Sequence, residues 1–320
     1  MRPALKSGLL PVWRDRDTLQ IGIDPRRAIA LTGMSQAAIL IGLLDGSRDR
    51  EQVVAAASTR GIPAQATERV LTLLAVGGVI DDFPATTLRE VPYPTRARLA
   101  AELATTSLAH RDGDGGARAL ARRRDSTVRV EGPGPIARAI ARILSASGIG
   151  QVQRAQPATS PPTRGEQRRT RRAIVAARPD LVILVGSQPL ARTAGLTRDL
   201  MPHMAATASE AIGVVGPLVV PGSTACLRCL DFFRAGSDPA WPLILAQLAI
   251  RRPEPQACDA VLAAAVAAQA AGQALVAVDK APAASAAANG TLELVLPDWR
   301  WQRRSWARHP ACACASYTTP

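Results

Sequence analysis

Two short cysteine motifs set the tightest limit on how this chain folds. Cys226-Leu227-Arg228-Cys229 presents two thiols across one turn, and Cys312-Ala313-Cys314 offers a second pair near the end of the 320-residue sequence. Zinc takes four ligands in a tetrahedron, and thiolates suit it. A site made of Cys226, Cys229, Cys312 and Cys314 is closed, with no open position for water, so the expected role of its zinc is structural. Such a site ties the C-terminal tail to the segment that follows the apolar run 212–220. His309 stands near the second pair as a substitute ligand. Four free thiols are the alternative reading. A redox role fits less well, because no thioredoxin-like pattern surrounds the C-x-x-C. The fifth cysteine, Cys258, precedes Asp259. A reactive thiol needs a lowered pKa, and a neighbouring carboxylate raises it. Cys258 therefore reads as a packed residue at a helix start.

Five cysteines are too few for a disulfide scaffold, and an odd count fits a reducing compartment. The first twenty residues carry Arg2, Lys6, Arg14 and Arg16 and no long apolar stretch, so no secretory signal is visible. A cytoplasmic protein is the expectation. Residues 260–278 hold no charge and are long enough to span a bilayer. Alanine dominates them, and neither a basic cluster nor an aromatic belt flanks them, so a buried helix is expected and no membrane partner.

The net charge is +13, of which residues 91–230 carry +11. The densest run is Arg164, Arg168, Arg169, Arg171, Arg172 and Arg178. It suits phosphates or an acidic peptide, or else forms a solvated face. Aromatics are 3% of the chain and none interleave this run, which disfavours single-stranded nucleic acid.

The chain divides into three parts: 1–88, 89–125 and 126–320. In the first, Val12-Trp13 and Leu19, Ile21 and Ile23 alternate as in strands, and residues 27–31 offer a partner. Ser35 and Asp49 are placed to cap two helices, and a third runs from Pro63 to the stop at Gly77-Gly78. Val79-Ile80 adds a short strand. This is the inventory of a winged helix. The unit nets only +1, a poor basis for neutralising DNA phosphates, so a peptide or protein partner fits better. Such a partner can add a strand to the hairpin edge. Residues 89–125, with Pro92, Pro94 and the run His110-Arg111-Asp112-Gly113, read as a linker that holds a helix near 95–109.

The third part opens with a strand, 127–131, followed at once by Gly132-Pro133-Gly134-Pro135-Ile136-Ala137 and a helix to Gly148. Strand, glycine turn and helix are the setting of a dinucleotide-binding fold. The buried runs 181–185 and 212–220 extend it to a doubly wound α/β sheet. Gly132, Gly134 and Ala137 are the candidate nucleotide-binding residues. Pro133 and Pro135 remove two backbone N–H groups that would hold a phosphate. The expected acid at the end of the next strand is replaced by Gln151, Gln153 and Arg154. A Rossmann-like fold without its ligand accounts equally for the pattern.

Gly216–Gly222, then Thr224–Leu230 with its C-x-x-C, then Asp238-Pro239-Ala240-Trp241-Pro242, resembles the ThiF/MoeB superfamily, the ubiquitin-activating-enzyme-like fold. More narrowly it is similar to an actinobacterial subgroup related to the cyclodehydratase partner proteins of azole-peptide (bacteriocin) biosynthesis. The resemblance implies a Rossmann-like domain with a four-cysteine zinc site, preceded by a winged-helix, leader-peptide-recognition-like unit. It also implies that active members adenylate a carboxylate with Mg-ATP, using acids after two strands, an Asn/Arg/Gln patch and a lysine. Here the first acid is absent, the later strand ends Leu184-Val185-Gly186-Ser187-Gln188, and the only lysines are Lys6 and Lys280. The leading expectation is a degenerate, zinc-stabilised scaffold that binds a peptide or a partner enzyme, or dimerises. An active adenylyltransferase is the alternative, with Arg138, Arg154 or Arg192 as replacement cations, and a DNA-binding regulator is the third.

Overall fold

The computed structural model describes residues 1–84, 86–89, 91–155, 178–187, 190–250 and 257–316. The arginines at 164–172 lie outside the described residues. The chain forms two compact units, Met1–Ala121 and Arg122–Pro320.

The first unit begins with four short strands: β1 (Pro3–Leu5), β2 (Pro11–Trp13), β3 (Leu19–Ile21) and β4 (Ile29–Leu31). Helices Ala37–Gly42, Arg50–Ser58 and Ala64–Val76 follow, then strand β5 (Ile80–Asp82). β2, β3 and β4 make an antiparallel sheet, Trp13 opposite Leu19 and Ile21 opposite Ile29. Asp49 caps its helix in a full capping box with Gln52. The first helix starts after Gln36 with no side-chain cap, so Ser35 does not play the part expected of it. Leu19, Ile21, Leu40, Val53, Leu71 and Leu74 form the core.

β5 pairs with β1, outside the three-stranded sheet. This pairing sets Lys6 beside Asp81. The Lys6 ammonium is buried, 3.0 Å from the Asp81 carboxylate, and donates to the Ser107 carbonyl at 2.8 Å, while Ser107 Oγ donates to Asp81 at 2.6 Å. Ser107 lies on the Ala100–His110 helix, in the stretch expected to be a linker. That stretch instead carries helices Tyr93–Arg98, Ala100–His110 and Ala117–Asp125, and the first unit runs on to Ala121. Leu88, Val91, Leu99, Ala117 and Leu120 give it an apolar cluster that its polar, glycine-rich turn at 110–116 conceals.

The second unit is built on seven strands: β6 (Thr127–Glu131), β7 (Gln151–Ala155), β8 (Leu181–Val185), β9 (His203–Ser209), β10 (Ile212–Val219), β11 (Gly290–Val295) and β12 (Arg300–Ser305). Their order is β12-β11-β10-β9-β8-β6-β7. β7, β6, β8 and β9 run parallel, and β9 through β12 pair antiparallel. The sheet is therefore mixed, a correction to the doubly wound expectation. Glu210 and Ala211 alone separate β9 from β10, and both have positive φ (54° and 58°). A two-residue turn of that hand makes a hairpin and leaves no room for a crossover helix. Sequence reading passes over β9 because His203-Met204-Ala205-Ala206-Thr207 is poor in β-branched residues.

Both faces of the parallel part are covered. Leu181, Ile183 and Val185 face one apolar cluster, and Val182 and Leu184 face another with Leu196 and Met201. On the first face lie the helices Gly134–Ala146 and Ala260–Asp279. The second is long and apolar enough to cross a membrane, but Leu262, Ala263, Val266, Ala267, Ala270, Ala271 and Ala274 form a buried stripe in the core of the unit. Its small side chains permit close approach: a Cβ on Gly213 of β10 would come within 2.4 Å of Val266. At its C-terminal end Asp279 is buried against Arg123, with Nε at 2.8 Å and Nη2 at 2.6 Å. Arg123 Nη1 also donates to the Ser147 carbonyl, 3.0 Å away, where the Gly134–Ala146 helix ends. One guanidinium thus clamps two helix ends. Breaking a buried pair leaves an uncompensated charge, so Arg123→Met should cost about 3–5 kcal/mol in denaturant unfolding. Adding Asp279→Leu should restore most of the loss, and a single variant as stable as the parent would show that the clamp is dispensable.

Candidate metal centre

The four predicted cysteines come together. Their sulfurs all lie within 4.8 Å of one another, and all four residues are buried. Cys226 Sγ is 3.7 Å from Cys229 and 3.6 Å from Cys312, and Cys229 is 3.3 Å from Cys314. A disulfide needs about 2 Å between sulfurs. A tetrahedron with Zn–S near 2.3 Å has an edge of about 3.8 Å. The spacing and the all-thiol donor set fit a four-coordinate zinc.

Local structure explains how the sulfurs arrive. β10 ends at Val219, and Thr224 then closes a turn: its hydroxyl donates to the Leu218 carbonyl at 3.0 Å and accepts the Val220 N–H at 2.7 Å. Asn289 Oδ1 takes the Ala225 N–H at 2.8 Å. Cys226 is the N-cap of helix Leu227–Ser237, which places Cys229 in the first turn. The positive end of a helix favours a thiolate there. From the other side, β12 delivers Trp306, whose indole N–H donates to Thr291 at 3.0 Å. The Cys312 N–H then donates to the His309 carbonyl at 2.9 Å, and a short 3-10 turn carries Cys314.

Val219, Ala225, Leu230 and Trp306 enclose the centre, with Phe232 and Phe233 against them. His309 belongs to this wall. Its ring stacks on Phe232 at 5.0 Å, meets Phe233 edge-on at 4.9 Å, and accepts the Ala311 N–H on Nδ1. It is outside the four-sulfur cluster. Burial pushes the Cys226 thiol up to about 12 and raises Cys314 as well. Burial acts on Cys229 too, yet the backbone at His309 and Cys226 holds its thiol below the ordinary range. A bound cation offsets burial by stabilising the thiolates it ligates. Cys258 stands apart, partly buried against the main core, its thiol raised by burial and by Asp259.

The glycine turn has a different character. The Gly132 N–H donates to the Ala155 carbonyl at 3.0 Å, so it continues the β6–β7 ladder. A Cβ at Gly132 would sit 2.4 Å from the Val185 carbonyl oxygen, which gives the glycine a packing reason. Gly134 opens the helix with open space beside it, and Ala137 is buried in the core. Glu131 ends β6 and is held by Arg192, whose Nε lies at 2.8 Å. This ion pair was not visible in the sequence, where 61 positions separate its members.

No protein-family profile matches the chain, and no curated protein matches it in sequence. Solved structures do match. E. coli MccB with succinimide aligns over 99% of this chain and 100% of its own, at a TM-score of 0.70 and 14% identity. The heterocyclase TruD aligns over 98% of this chain and 42% of its own, at 0.66 and 18%. A heterocyclase in complex with substrate and cofactor gives 0.68 and 15% over 98% and 39%. The chain thus has the MccB fold across its length, and that fold recurs in part of the heterocyclases.

Zinc analysis tests the centre. The purified protein should carry a single zinc ion per chain, and Cys226→Ser or Cys312→Ser should remove it and collapse the thermal transition of the second unit. Variants that stay folded, from a parent that is itself free of zinc, would overturn the assignment.

Proposed function

We propose that this protein is a zinc-stabilised scaffold that binds a peptide and presents it to a partner enzyme, without adenylating it. The observation that carries this reading is the state of the carboxyl ends of the parallel strands, where a doubly wound sheet binds its ligands. β6 ends in Glu131, β7 in Ala155, and β8 runs into Val185-Gly186-Ser187. Magnesium takes oxygen ligands, carboxylates first among them. Glu131 is engaged by Arg192. The one other acid between Ala155 and Arg178 is Glu166, outside the described residues. At the ends of β6, β7 and β8 no carboxylate among the described residues is left for magnesium, and Glu210, past the end of β9, is taken up in a hairpin turn, which argues against a Mg-ATP site. MccB itself was solved with ATP, so in this reading the loss lies in the groups and leaves the fold intact.

The peptide would be taken by the first unit, in the manner of a winged helix. β2 and β4 are the outer strands of the three-stranded sheet, and Leu10, Val12, Trp13 and Ile23 are exposed apolar residues around it. An added strand uses the free backbone of such an edge and seats alternate side chains on its face. MccB has been solved with MccA, and a heterocyclase with its substrate. DNA is a weaker candidate, because Glu68 on the third helix is bonded to Arg50. A second copy of the chain is a further candidate partner. The zinc supplies the closed, redox-inert crosslink that holds the second unit. A reducing cytoplasm would keep its four thiols available to the metal.

Two measurements test this. Calorimetric titration of the zinc-loaded protein with Mg-ATP should give no heat up to millimolar nucleotide, and micromolar binding would return the chain to the adenylating enzymes. Peptides selected on the full chain from a display library should lose roughly tenfold or more in affinity on Trp13→Asp. Unchanged affinity would move the capture site away from the sheet.

A further inference from the structure

A groove of about 520 Å³ lies between the Gly134–Ala146 and Ala260–Asp279 helices. That volume is within the range of small-molecule sites. Arg138 and Arg142 line it from the first helix, Ala260, Ala263 and Ala264 from the second, and Arg154 from β7. Among the described residues, Pro135 is its one member from the turn Gly132–Ala137, so it follows the helix flanks rather than the glycines. It shares no residue with the four-cysteine centre.

Arg138 and Arg142 are four residues apart, which sets both side chains on one face of their helix, where like charges repel. No acid lines the groove, and none of its three arginine side chains has a hydrogen bond or ion pair among the described residues. Asp259, next to Ala260, is engaged as the cap of its helix and accepts the Leu262 N–H at 2.7 Å. Elsewhere in the unit, Arg123 and Arg192 are each held by a carboxylate. Arg138, Arg142 and Arg154 are all exposed, so a ligand can reach them. The rest of the lining is alanine and one proline, with no polar side chain.

We infer that this groove binds a small phosphate monoester, with its phosphoryl group on Arg138, Arg142 and Arg154 and an apolar body along the alanines. A guanidinium fork matches phosphate oxygens with two parallel N–H bonds. Near pH 7 a phosphoryl group carries about two negative charges on three acceptor oxygens. That suits three unpaired cations better than a carboxylate, which brings one charge and two oxygens. The body adds affinity through the apolar surface it removes from water. A polar or charged body gains nothing from such a wall. With no carboxylate in the lining, the groove offers magnesium no ligand, and binding calls for no metal.

Phenyl phosphate, inorganic phosphate, O-phosphoserine and benzoate are the probes: the full ligand, its phosphoryl group alone, the same group on a charged body, and the same ring on a carboxylate. Each is titrated calorimetrically into the full zinc-loaded chain at fixed ionic strength and without magnesium, so the result is independent of whether Mg-ATP binds. Phenyl phosphate should bind saturably and roughly tenfold tighter than each of the others. Arg138→Gln and Arg154→Gln should each weaken it about tenfold, and Ala264→Glu should abolish it, while zinc content and the thermal transition stay unchanged. Arg198→Gln removes one exposed charge outside the groove and should leave the affinity as it is. The preference among probes in the parent needs no variant to fold. No saturable binding at about ten millimolar phenyl phosphate, any other probe binding as tightly, an affinity that survives both groove variants, or an equal loss on Arg198→Gln would each overturn the inference.

Discussion

Four sulfurs held within 4.8 Å of one another are the constraint around which the second unit is arranged. They join the end of β10, the start of the Leu227–Ser237 helix and the tail beyond β12. β12 has every residue exposed, so little apolar burial holds it on the sheet. Its ladder to β11, the buried Trp306 and the cysteine pair behind it do so. A structural zinc contributes on the order of 10–16 kcal/mol of apparent binding energy in small domains. Whole domains are stable by roughly 5–15 kcal/mol. A zinc bound to the four cysteines would therefore be able to decide whether this end of the molecule folds.

The other end of the unit rests on a different device. Alanine is a poor source of hydrophobic energy per residue, yet it lets a helix lie close to its neighbours. The Ala260–Asp279 helix exploits this against Gly213 and the Gly134–Ala146 helix, and the Arg123–Asp279 pair anchors its end. A chain with only 3% aromatic residues builds its core from many short contacts. The buried ions at Arg123 and at Lys6 then fix which elements meet, a role for which apolar contacts are less selective.

Fold and chemistry separate clearly in this protein. An architecture shared with MccB at 14% identity tells where a ligand would bind in such a sheet, and leaves open what the strand ends can do. Among the described residues those ends offer an arginine-bound glutamate, an alanine, the hairpin turn at Glu210 and a glycine turn whose leading N–H is spent on the sheet. Among the described residues of this unit, two buried side-chain atoms lack a hydrogen-bond partner: Gln153 Nε2 on β7, and His203 Nε2 at the start of β9.

Local rules carry much of the structure. Thiol spacing announces the metal centre, the Asp49 box marks a helix start, and the apolar runs give β6, β8 and β10 and the buried stripe of the alanine-rich helix. These depend on neighbours within a turn or two, which is the range over which side-chain spacing and capping act. Pairing across the chain follows other terms. The turn at Glu210-Ala211 makes half the sheet antiparallel, and β9 is a strand because β8 and β10 flank it. Residues 89–121 belong to the first unit, where Ser107 completes the Lys6–Asp81 site. Gly132 gives its N–H to Ala155, and His203 keeps one nitrogen unpaired. The sequence by itself determined the four cysteines of the candidate metal centre and the helix and strand periods. Only the tertiary structure decided strand direction, ion-pair partners and the unpaired nitrogen, because each is a property of residues far apart in sequence.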